Sequence, residues 1–517
     1  MIQIKNLSIT HKKDLRTIVE NLSFVLNDGD KAVMVGEEGN GKSTVLKWIY
    51  DPELIGDYAE GQGERILNKE RLGYLPQELP AEHKEKTLYD YFSEEPSFYE
   101  LTPKELGRMA GEFGLSTEFF YGEQKLGTLS GGEKVKTQML RLLMAGPTVL
   151  LLDEPSNDID METLEWLEQF ILSWPYSVLY ISHDETLIER TANMVIHMEQ
   201  IMRKTESRAT VAKVPYRQYI TERQVAFEKQ ETIALNERRE KKLRDEKLQR
   251  IEQSVKHQLD NISKANRDAP GRLLKKKMKA VKSMEHRFER EDENMTEMPE
   301  TEEAIFFKLG EKESKVPAGK TVIEYRLDRL MTPDGARVLA RDIKLLVRGS
   351  EKICFIGKNG AGKTTLLRKM AEELLARNDI HAEYMPQNYE DMLDMSVTPV
   401  EFLDMTGEKE ERTRIRTYLG SLKYTADEMD HPMSELSGGQ KAKVLLLKMS
   451  LSKANVLILD EPTRNFSPLS GGVIRKILAE FPGAILSISH DRKYISEVCD
   501  TVYRLRETGL ETVEQEP

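Results

Sequence analysis

The sequence predicts an α/β protein in which two related domains are joined by a long antiparallel α-helical hairpin. The first observation behind this prediction is a series of four short motifs that occurs twice, in the same order, along the 517 residues. The second is the segment between the two copies, where residues 216–263 contain neither proline nor glycine. Such repeats indicate duplicated domains, and a long run of good helix formers indicates an extended helix.

The repeated motifs keep their spacing as well as their order. GEEGNGKST (36–44) recurs as GKNGAGKTT (357–365), LSGGE (129–133) as LSGGQ (436–440), VLLLDEP (149–155) as VLILDEP (456–462), and ISHD (181–184) as ISHD (488–491). The distance along the chain from the serine of LSGG to the aspartate of DEP is the same in both copies, and so is the distance on to the histidine. Coincidence does not produce four matches of this kind.

The first motif of each copy matches GxxxxGK[ST], which predicts a phosphate-binding loop, or P-loop. Its glycines let backbone N–H groups surround phosphate oxygens at a helix N-terminus, its lysine neutralises phosphate charge, and its hydroxyl binds Mg²⁺. We therefore expect ATP and Mg²⁺ as ligands, held by Gly36, Gly39, Gly41, Lys42, Ser43 and Thr44 in the first copy and by Gly357, Gly360, Gly362, Lys363, Thr364 and Thr365 in the second.

Each DEP motif ends an apolar run that predicts a buried parallel strand. Two carboxylates follow at the carboxyl end of the strand, where ligands bind in sheets of this kind. We expect Asp153 and Asp460 to hold Mg²⁺ through water, and Glu154 and Glu461 to polarise the attacking water.

Because LSGG[EQ] stands at a fixed distance before each DEP strand, the chain resembles the ATP-binding-cassette (ABC) superfamily. The resemblance implies two P-loop ABC ATPase cassettes that close head to tail, with each ATP between the P-loop of one cassette and the LSGG signature of the other. The first such site would combine Lys42, Ser43, Gln77, Asp153, Glu154 and His183 with Ser437, Gly438 and Gly439. The second would combine Lys363, Thr364, Gln387, Asp460, Glu461 and His490 with Ser130, Gly131 and Gly132.

The resemblance also assigns roles within each site. Gln77 in YLPQ and Gln387 in YMPQ match the glutamine that senses Mg²⁺ and the γ-phosphate, and His183 and His490 join the two glutamates as catalytic residues. The implied Mg²⁺ ligands are Ser43, Gln77, Asp153, Thr364, Gln387 and Asp460.

The chain departs from the superfamily pattern in two respects that bear on the nucleotide sites. The segment after the first DEP keeps Asp160, whereas the segment after the second carries Ser467 and Pro468, so the two sites are expected to hydrolyse ATP unequally. Neither cassette offers an aromatic residue to stack on adenine near His11 or Met331, which leaves the preference for ATP over GTP open.

Domain boundaries follow from the roughly 200 residues that each cassette needs. We predict a first cassette at residues 1–205, a helical linker at 206–319 and a second cassette at 320–517. Within the linker, the turn-forming NRDAPG (266–271) separates the long helix at 216–263 from a shorter one. The tip of the resulting hairpin is expected near residues 264–272.

The linker is basic in an acidic chain. The formal net charge is −12, yet Lys and Arg outnumber Asp and Glu two to one between Glu237 and Arg290. A basic projection on an acidic body suggests contact with a polyanion, although a solvated spacer helix is the alternative. The residues predicted to contact nucleic acid are Lys264, Arg267, Arg272, Lys275, Lys276, Lys277 and Lys279.

With this linker, the resemblance narrows to the ABC-F family of cytoplasmic proteins, which act on the ribosome. It implies a monomer that closes its cassettes intramolecularly in the ribosomal exit (E) site without a stable protein partner. The linker tip would point toward large-subunit rRNA, the P-site tRNA and the peptidyl-transferase centre. Little room exists for an arm between Lys42 and Gln77, and this layout, with EPTRNFSP, looks like the Lsa/Vga-type antibiotic-resistance members of Gram-positive bacteria.

Three other functions compete with ribosome protection. A housekeeping ABC-F translation factor would share every motif. The ATPase subunit of a transporter would need a separate membrane partner, since no apolar run approaches the ~20 residues that span a bilayer. A DNA-maintenance ATPase is disfavoured because the insert is short and the two cysteines, Cys354 and Cys499, cannot form a zinc site. Those cysteines instead predict a reducing compartment and apolar packing.

Overall fold

The computed structural model describes residues 1–201, 206–260, 268–292, 295–299, 309–310 and 314–513. The chain divides into two compact units. One contains residues 1–216 together with 302–517 and holds both cassettes, and the other contains residues 217–301.

The first cassette is built on a six-stranded sheet and a three-stranded sheet. Its strands are β1 Ile2–His11, β2 Thr17–Leu26, β3 Lys31–Val35, β4 Ala59–Ile66, β5 Leu72–Leu75, β6 Val149–Asp153, β7 Ser177–Ile181, β8 Met194–Ile201 and β9 Glu206–Ala212. Its helices are α1 Lys42–Tyr50, α2 Leu88–Ser93, α3 Pro103–Glu112, α4 Gly131–Met144, α5 Met161–Ser173 and α6 Glu185–Thr191. The main sheet has the order β5-β6-β7-β3-β8-β9, and a second sheet pairs β2, β1 and β4.

The main sheet explains the apolar runs in the sequence. Strands β5, β6, β7, β3 and β8 run parallel, and only β9 is antiparallel. Every residue of β3, β6 and β7 is buried, as expected for parallel strands covered on both faces. Because β9 pairs with β8, this sheet continues to Ala212, past the boundary predicted at residue 205.

The second cassette repeats the topology of the six-stranded sheet, but its smaller sheet pairs only two strands among the described residues. Its strands are β10 Thr321–Met331, β11 Val338–Arg348, β12 Lys352–Ile356, β13 Ala382–Met385, β14 Val456–Asp460, β15 Ala484–Ile488, β16 Thr501–Arg506 and β17 Gly509–Val513. Its helices are α9 Lys363–Leu375, α10 Pro399–Leu403, α11 Lys409–Ser421, α12 Ala426–Asp430, α13 Gly438–Leu451, α14 Pro468–Ala479 and α15 Arg492–Val498. The sheet order β13-β14-β15-β12-β16-β17 matches that of the first cassette. The predicted fold class is therefore confirmed, and both cysteines are free and buried.

The linker unit contains two helices, α7 Tyr216–Asp260 and α8 Asp268–Asp292. Lys241 and Arg244 of α7 form ion pairs with Asp292 at the end of α8, and the guanidinium of Arg244 lies over the ring of Phe288. These contacts place the middle of α7 beside the end of α8. No described helix is both long enough and apolar enough to cross a lipid bilayer.

One detail of the predicted hairpin is wrong. The turn was predicted to reach Gly271, but α8 begins at Asp268 and contains Pro270 and Gly271. Proline is tolerated in the first turn of a helix, where its missing N–H has no intrahelical acceptor. The rest of the predicted tip, residues 264–267, lies outside the described residues.

A cluster of ion pairs joins the two cassettes. Arg475 on α14 contacts Glu185 at 2.7 Å, and Arg492 on α15 contacts Glu168 at 2.9 Å. Lys493 extends the cluster to Glu189 of α6 at 2.6 Å. All of these bases belong to the second cassette and all of these acids to the first, so the interface is complementary in charge.

We expect the substitution Arg475→Met to destabilise the protein markedly. Arg475 is only 5% exposed, and removing one partner of a buried charge network costs about 3 kcal/mol or more. For a cassette of this size the melting temperature would fall by about 6–12 °C, which differential scanning calorimetry would measure.

Arg506→Met provides the control for this substitution. Arg506 pairs with Glu511 on the surface of the same cassette, and both side chains are more than half exposed, so the loss should be about 0–1 kcal/mol. Equal losses for the two variants would show that the interface cluster contributes no more than a surface pair.

Candidate nucleotide-binding sites

The first P-loop connects β3 to α1 and curls around its own lysine. Lys42 donates hydrogen bonds from Nζ to the carbonyl oxygens of Gly36 and Glu37, at 2.8 and 2.9 Å. A Cβ atom on Gly36 would lie 2.1 Å from the carbonyl oxygen of Met198, so only glycine fits there. Gly36, Gly39 and Gly41 all have positive φ, and Ser43 and Thr44 lie in the first turn of α1. The free N–H groups of that turn form an anion site.

The hydroxyl and carboxylate predicted to bind Mg²⁺ lie next to each other in the first cassette. Ser43 donates from Oγ to Oδ1 of Asp153 at 2.8 Å, and the Tyr74 hydroxyl donates to Oδ2 at 3.2 Å. Burial raises the pKa of Asp153 to about 6. A hard cation such as Mg²⁺ prefers oxygen ligands of this kind and would favour the ionised carboxylate, so the donor set fits the metal.

Glu154 pairs with His183. The Nε2 atom of His183 lies 3.0 Å from Oε1 of Glu154, and Asn157 donates from Nδ2 to Oε2 at 2.5 Å. Burial acts to raise the pKa of Glu154, but the charge and hydrogen bonds of its neighbours outweigh it and lower the pKa to about 2. In turn, Glu154 raises the pKa of His183 against the effect of burial. The Nδ1 atom of His183 lies 2.8 Å from the carbonyl oxygen of Phe466, which belongs to the other cassette.

The second P-loop has the same local geometry between β12 and α9. Lys363 donates to the carbonyl oxygens of Gly357 and Lys358, at 2.7 and 3.0 Å. Gly357, Gly360 and Gly362 again have positive φ, and Thr364 and Thr365 begin α9. Asp460 is 1% exposed, and burial raises its pKa although a hydrogen bond with Thr364 opposes the shift.

The pKa values of Glu461 and His490 are shifted in the opposite directions to those of Glu154 and His183, although the motifs are identical. Burial, reinforced by the charge of Asp460, raises the pKa of Glu461 to about 8. Burial and the nearby Lys363 lower the pKa of His490 to about 4. The nearest side-chain contact between the two is 3.7 Å, from Nε2 of His490 to Oε1 of Glu461, which is too long for a hydrogen bond. At neutral pH this pair is therefore uncharged.

Each signature motif forms the N-terminus of a helix. Ser130 caps α4 and Ser437 caps α13, each through a capping box completed by Glu133 or Gln440. This reciprocal hydrogen bonding accounts for the fifth residue of LSGG[EQ]. A Cβ atom on Gly131 would lie 1.9 Å from the carbonyl oxygen of Asp158, so no side chain fits at the first residue of α4. Gly132 lies in the first turn of α4, and Gly438 and Gly439 lie in the first turn of α13.

The signature of the first cassette and the P-loop of the second line one cavity of about 770 Å³. Among its lining residues are Ser130, Gly131, Gly360, Gly362, Lys363, Thr364, Thr365, Gln387, Asp460, Glu461 and His490. The cavity wall also contains Thr332, Pro333 and Arg337, and none of the described residues that line it is Phe, Tyr or Trp. Most of the residues predicted for the second site therefore meet in one space.

Two residues of this cavity, Asp158 and Arg464, were not predicted as site residues. Arg464 forms an ion pair with Asp158 at 2.9 Å, and Gln387 approaches the other carboxylate oxygen of Asp158 at 3.5 Å. The signal that would have indicated Asp158 is its place directly before Ile159 and Asp160 in the segment after DEP. Arg464 carries no comparable local signal.

The first P-loop contacts the signature of the second cassette through acidic side chains. Oε2 of Glu38 accepts a hydrogen bond from the backbone N–H of Gly439 at 2.5 Å. Glu37 accepts from the hydroxyls of Ser467 and Ser470 and lies 3.4 Å from Nζ of Lys443. Neither glutamate was predicted as a site residue. Gln77, which was, follows β5 at an exposed position.

The residues predicted to contact nucleic acid are only partly described. Lys276, Lys277 and Lys279 are exposed on α8, and Arg272 and Lys275 belong to the same helix. Lys264 and Arg267 lie outside the described residues.

The raised pKa of Glu461 predicts how stability depends on pH. An unfolded glutamate ionises near pH 4.5, whereas Glu461 in the folded chain stays protonated to about pH 8. Stability present below pH 4.5 is therefore lost as the pH rises through this window, because the unfolded state releases its proton first. We expect melting temperatures measured without nucleotide to fall less steeply across the window for Glu461→Gln than for the wild type.

Asp404→Asn is the matched control for this pH series. Hydrogen bonds from Arg412 and from the backbone of Gly407 lower the pKa of Asp404 from its ordinary value of 3.8, so this carboxylate is ionised in the folded and the unfolded protein throughout the same window. Its substitution should shift the melting curve without changing its slope between pH 4.5 and 8. Parallel curves for wild type and Glu461→Gln would contradict the assignment of a neutral Glu461.

Comparison with known proteins agrees with this geometry. The family model described as ABC transporter matches residues 19–157 and 340–464. The ribosome protection protein VmlR of Bacillus subtilis (strain 168) is 26% identical over 98% of this chain and 87% of its own length. ABC transporter F family member 2 of Arabidopsis thaliana is 22% identical over 98% of this chain and 77% of its own length.

Among solved structures, a complex of the archaeal ribosomal stalk protein aP1 and the archaeal ribosome recycling factor aABCE1 has a matching chain. That chain is 16% identical, with a TM-score of 0.58 over 98% of this chain and 90% of the other, a likeness that establishes the fold. The two family matches cover both P-loops and both DEP strands. This chain accordingly belongs to the ABC transporter family, as an ATPase with two ATP-binding cassettes in one polypeptide.

Proposed function

We propose that this chain is an ABC-F ATPase that binds the bacterial ribosome in the E site and protects the peptidyl-transferase region from antibiotics. The observation that carries the proposal is the combination of paired cassettes with a basic helical linker, in a chain similar over almost its full length to a ribosome protection protein. A housekeeping translation factor of the same family remains the second candidate. The similarity to ABC transporter F family member 2 of Arabidopsis thaliana, over 98% of this chain, is compatible with either candidate.

In the proposed cycle, ATP binds between the P-loop of one cassette and the signature of the other. Lys42 and Lys363 neutralise phosphate charge, while the N-termini of α4 and α13 would supply N–H donors to the terminal phosphate. Mg²⁺ would be held by Ser43 with Asp153 and by Thr364 with Asp460, and would stabilise the charge that develops during phosphoryl transfer. The head-to-tail pairing is supported by the cavity that the two cassettes share.

Glu154 and Glu461 are the proposed catalytic carboxylates. The ionised Glu154 can accept a proton from an attacking water at neutral pH, and His183 orients it through their hydrogen bond. The neutral Glu461 must first lose its own proton, so hydrolysis at the two sites would differ in pH dependence. This electrical difference supports the expectation that the sites are unequal.

The exposed lysines of α8 are the proposed contacts to ribosomal RNA or tRNA. Lys276, Lys277 and Lys279 are exposed on one helix within three residues of each other. Phosphate contacts of this kind dominate affinity for nucleic acid and release counterions, which makes binding sensitive to salt. The linker would thus recognise RNA mainly by its backbone charge and shape.

The double substitution Glu154→Gln/Glu461→Gln tests the ATPase and ribosomal parts of the proposal. Loss of the general base should slow ATP hydrolysis by about 100-fold or more while ATP binding persists. We expect the variant to cosediment with ribosomes in the presence of ATP to a greater extent than wild type. Wild-type hydrolysis by the variant would refute the catalytic assignment, and no cosedimentation of either form would refute the ribosomal role.

Expression in a sensitive Gram-positive host then separates protection from housekeeping. Wild type should raise resistance to lincosamides, pleuromutilins or streptogramin A, whereas the double variant should not. No change in resistance from a soluble chain that cosediments with the host's ribosomes would favour the housekeeping factor.

Substituting Lys276, Lys277 and Lys279 by Gln tests the RNA contact. We expect weaker ribosome binding and a shallower dependence of log affinity on log salt concentration, by about one unit for each phosphate that is no longer neutralised. Substituting the exposed Arg326, Arg329 and Lys344 of the second cassette by Gln removes the same charge elsewhere and serves as the control. An unchanged salt slope in the linker variant would indicate that the linker is a spacer.

A further inference from the structure

The two P-loops differ in charge at two adjacent positions. GEEGNGKST carries Glu37 and Glu38 where GKNGAGKTT carries Lys358 and Asn359. A loop that surrounds a polyphosphate gains affinity from positive charge and loses it to negative charge. Two carboxylates in the first P-loop therefore need a physical explanation that the shared motif does not supply.

Glu37 is held by the opposite cassette. Its carboxylate accepts a hydrogen bond from Oγ of Ser467 at 2.6 Å and another from Oγ of Ser470, and it faces Nζ of Lys443 at 3.4 Å. Burial acts to raise the pKa of Glu37, but Lys443 and the two hydroxyls prevail and lower it. An ionised Glu37 thus anchors the first P-loop to α13 and α14.

Glu38 reaches the signature motif itself. Its Oε2 atom accepts from the N–H of Gly439 at 2.5 Å, at the second residue of α13. The carboxylate therefore lies at the positive end of the helix dipole, on a donor suited to an anion. A terminal phosphate held by this signature would need the same N–H group and would meet the negative charge of Glu38.

The second P-loop leaves its signature partner accessible. Asn359 is neutral and donates from Nδ2 to the carbonyl oxygen of Asp158 at 2.6 Å. Lys358 pairs with Glu162 at 3.0 Å, where both side chains are exposed. Ser130 and Gly131 line the 770 Å³ cavity beside Lys363. No carboxylate of the second P-loop, which is described throughout, competes for the start of α4.

We propose that Glu38 is a built-in competitor for the terminal phosphate, so that the first composite site binds nucleoside triphosphate more weakly than the second. The inference rests on the pairing of P-loop and signature motif proposed above. Glu37 keeps the competing carboxylate in place by fixing the loop to the other cassette. The contacts of Glu37 and Glu38 join the first P-loop to the second cassette. Triphosphate binding would therefore act mainly at the second composite site.

Titration of ATP and Mg²⁺ into single-site proteins tests this proposal. With Glu154→Gln/Glu461→Gln present to prevent turnover, Lys363→Ala restricts high-affinity binding to the first site and Lys42→Ala restricts it to the second. Adding Glu38→Asn, which copies Asn359, should raise ATP affinity about tenfold or more in the Lys363→Ala protein. The same change should leave ATP affinity within twofold in the Lys42→Ala protein.

Two further measurements make the result specific. ADP lacks the terminal phosphate, so Glu38→Asn should leave ADP affinity at the first site unchanged. The mirror substitution, Asn359→Glu, should weaken ATP binding at the second site of the Lys42→Ala protein. Melting temperatures within a few degrees of the parent would show that each variant remains folded.

The outcomes that overturn the proposal are distinct from failure of the proposed function. Gly438→Asp in the Lys363→Ala protein should weaken ATP binding if P-loop and signature are paired. If it does so while Glu38→Asn has no effect, the pairing stands and the role of Glu38 is refuted. If neither change has an effect, the pairing fails and the role of Glu38 fails with it. The titrations contain no ribosomes, so the ribosomal role is tested separately.

Discussion

Both nucleotide sites depend on the contact between α5 and α6 of the first cassette and α14 and α15 of the second. The facing residues of this contact carry opposite charges. Each P-loop meets a signature from the other half of the chain, so both sites require the cassettes to be held in register. Arg475, Arg492 and Lys493 lie on one side of this contact and acids lie on the other. Such a separation of charge favours pairing of unlike cassettes over self-pairing, because two identical faces would repel each other.

Small differences in the position of the histidine give the two identical DEP and ISHD motif pairs different protonation behaviour. The ring of His183 is within hydrogen-bond distance of Glu154, at 3.0 Å, whereas the ring of His490 lies 3.7 Å from Glu461. His490 instead donates to Glu461 from its backbone N–H, at 3.2 Å. Burial penalises charge in both cassettes, but only in the first pair do neighbouring groups outweigh it, lowering the pKa of Glu154 and raising that of His183. The carbonyl oxygen of Phe466 also links His183 to the opposite cassette. One imidazole therefore contacts both the carboxylate of Glu154 in its own cassette and the backbone of the opposite cassette.

The P-loops add a second source of asymmetry. Glu37 and Glu38 bind the first loop to the opposite cassette, while Lys358 and Asn359 contact the segment after the first DEP motif, at Glu162 and Asp158. The linker is a separate case, because its exposed lysines lie in the unit formed by residues 217–301 rather than in the cassettes. Nucleotide chemistry and the proposed RNA recognition are therefore carried by different parts of the chain.

The amino-acid sequence alone determined the duplicated α/β architecture, both P-loops and the two capped signature helices. These features depend on local stereochemistry: glycine at positive φ, apolar residues in buried parallel strands, and a serine that caps a helix with the acid or amide three residues later. The same local rules placed the turn too far along the chain, since Pro270 also suits the first turn of a helix. Only the tertiary structure decided that Glu37 and Glu38 contact α13 and α14, that Arg464 meets Asp158, and that Glu461 is neutral where Glu154 is charged. Each of these results depends on burial or on groups brought together from distant parts of the chain, and neither is encoded in the spacing of neighbouring residues.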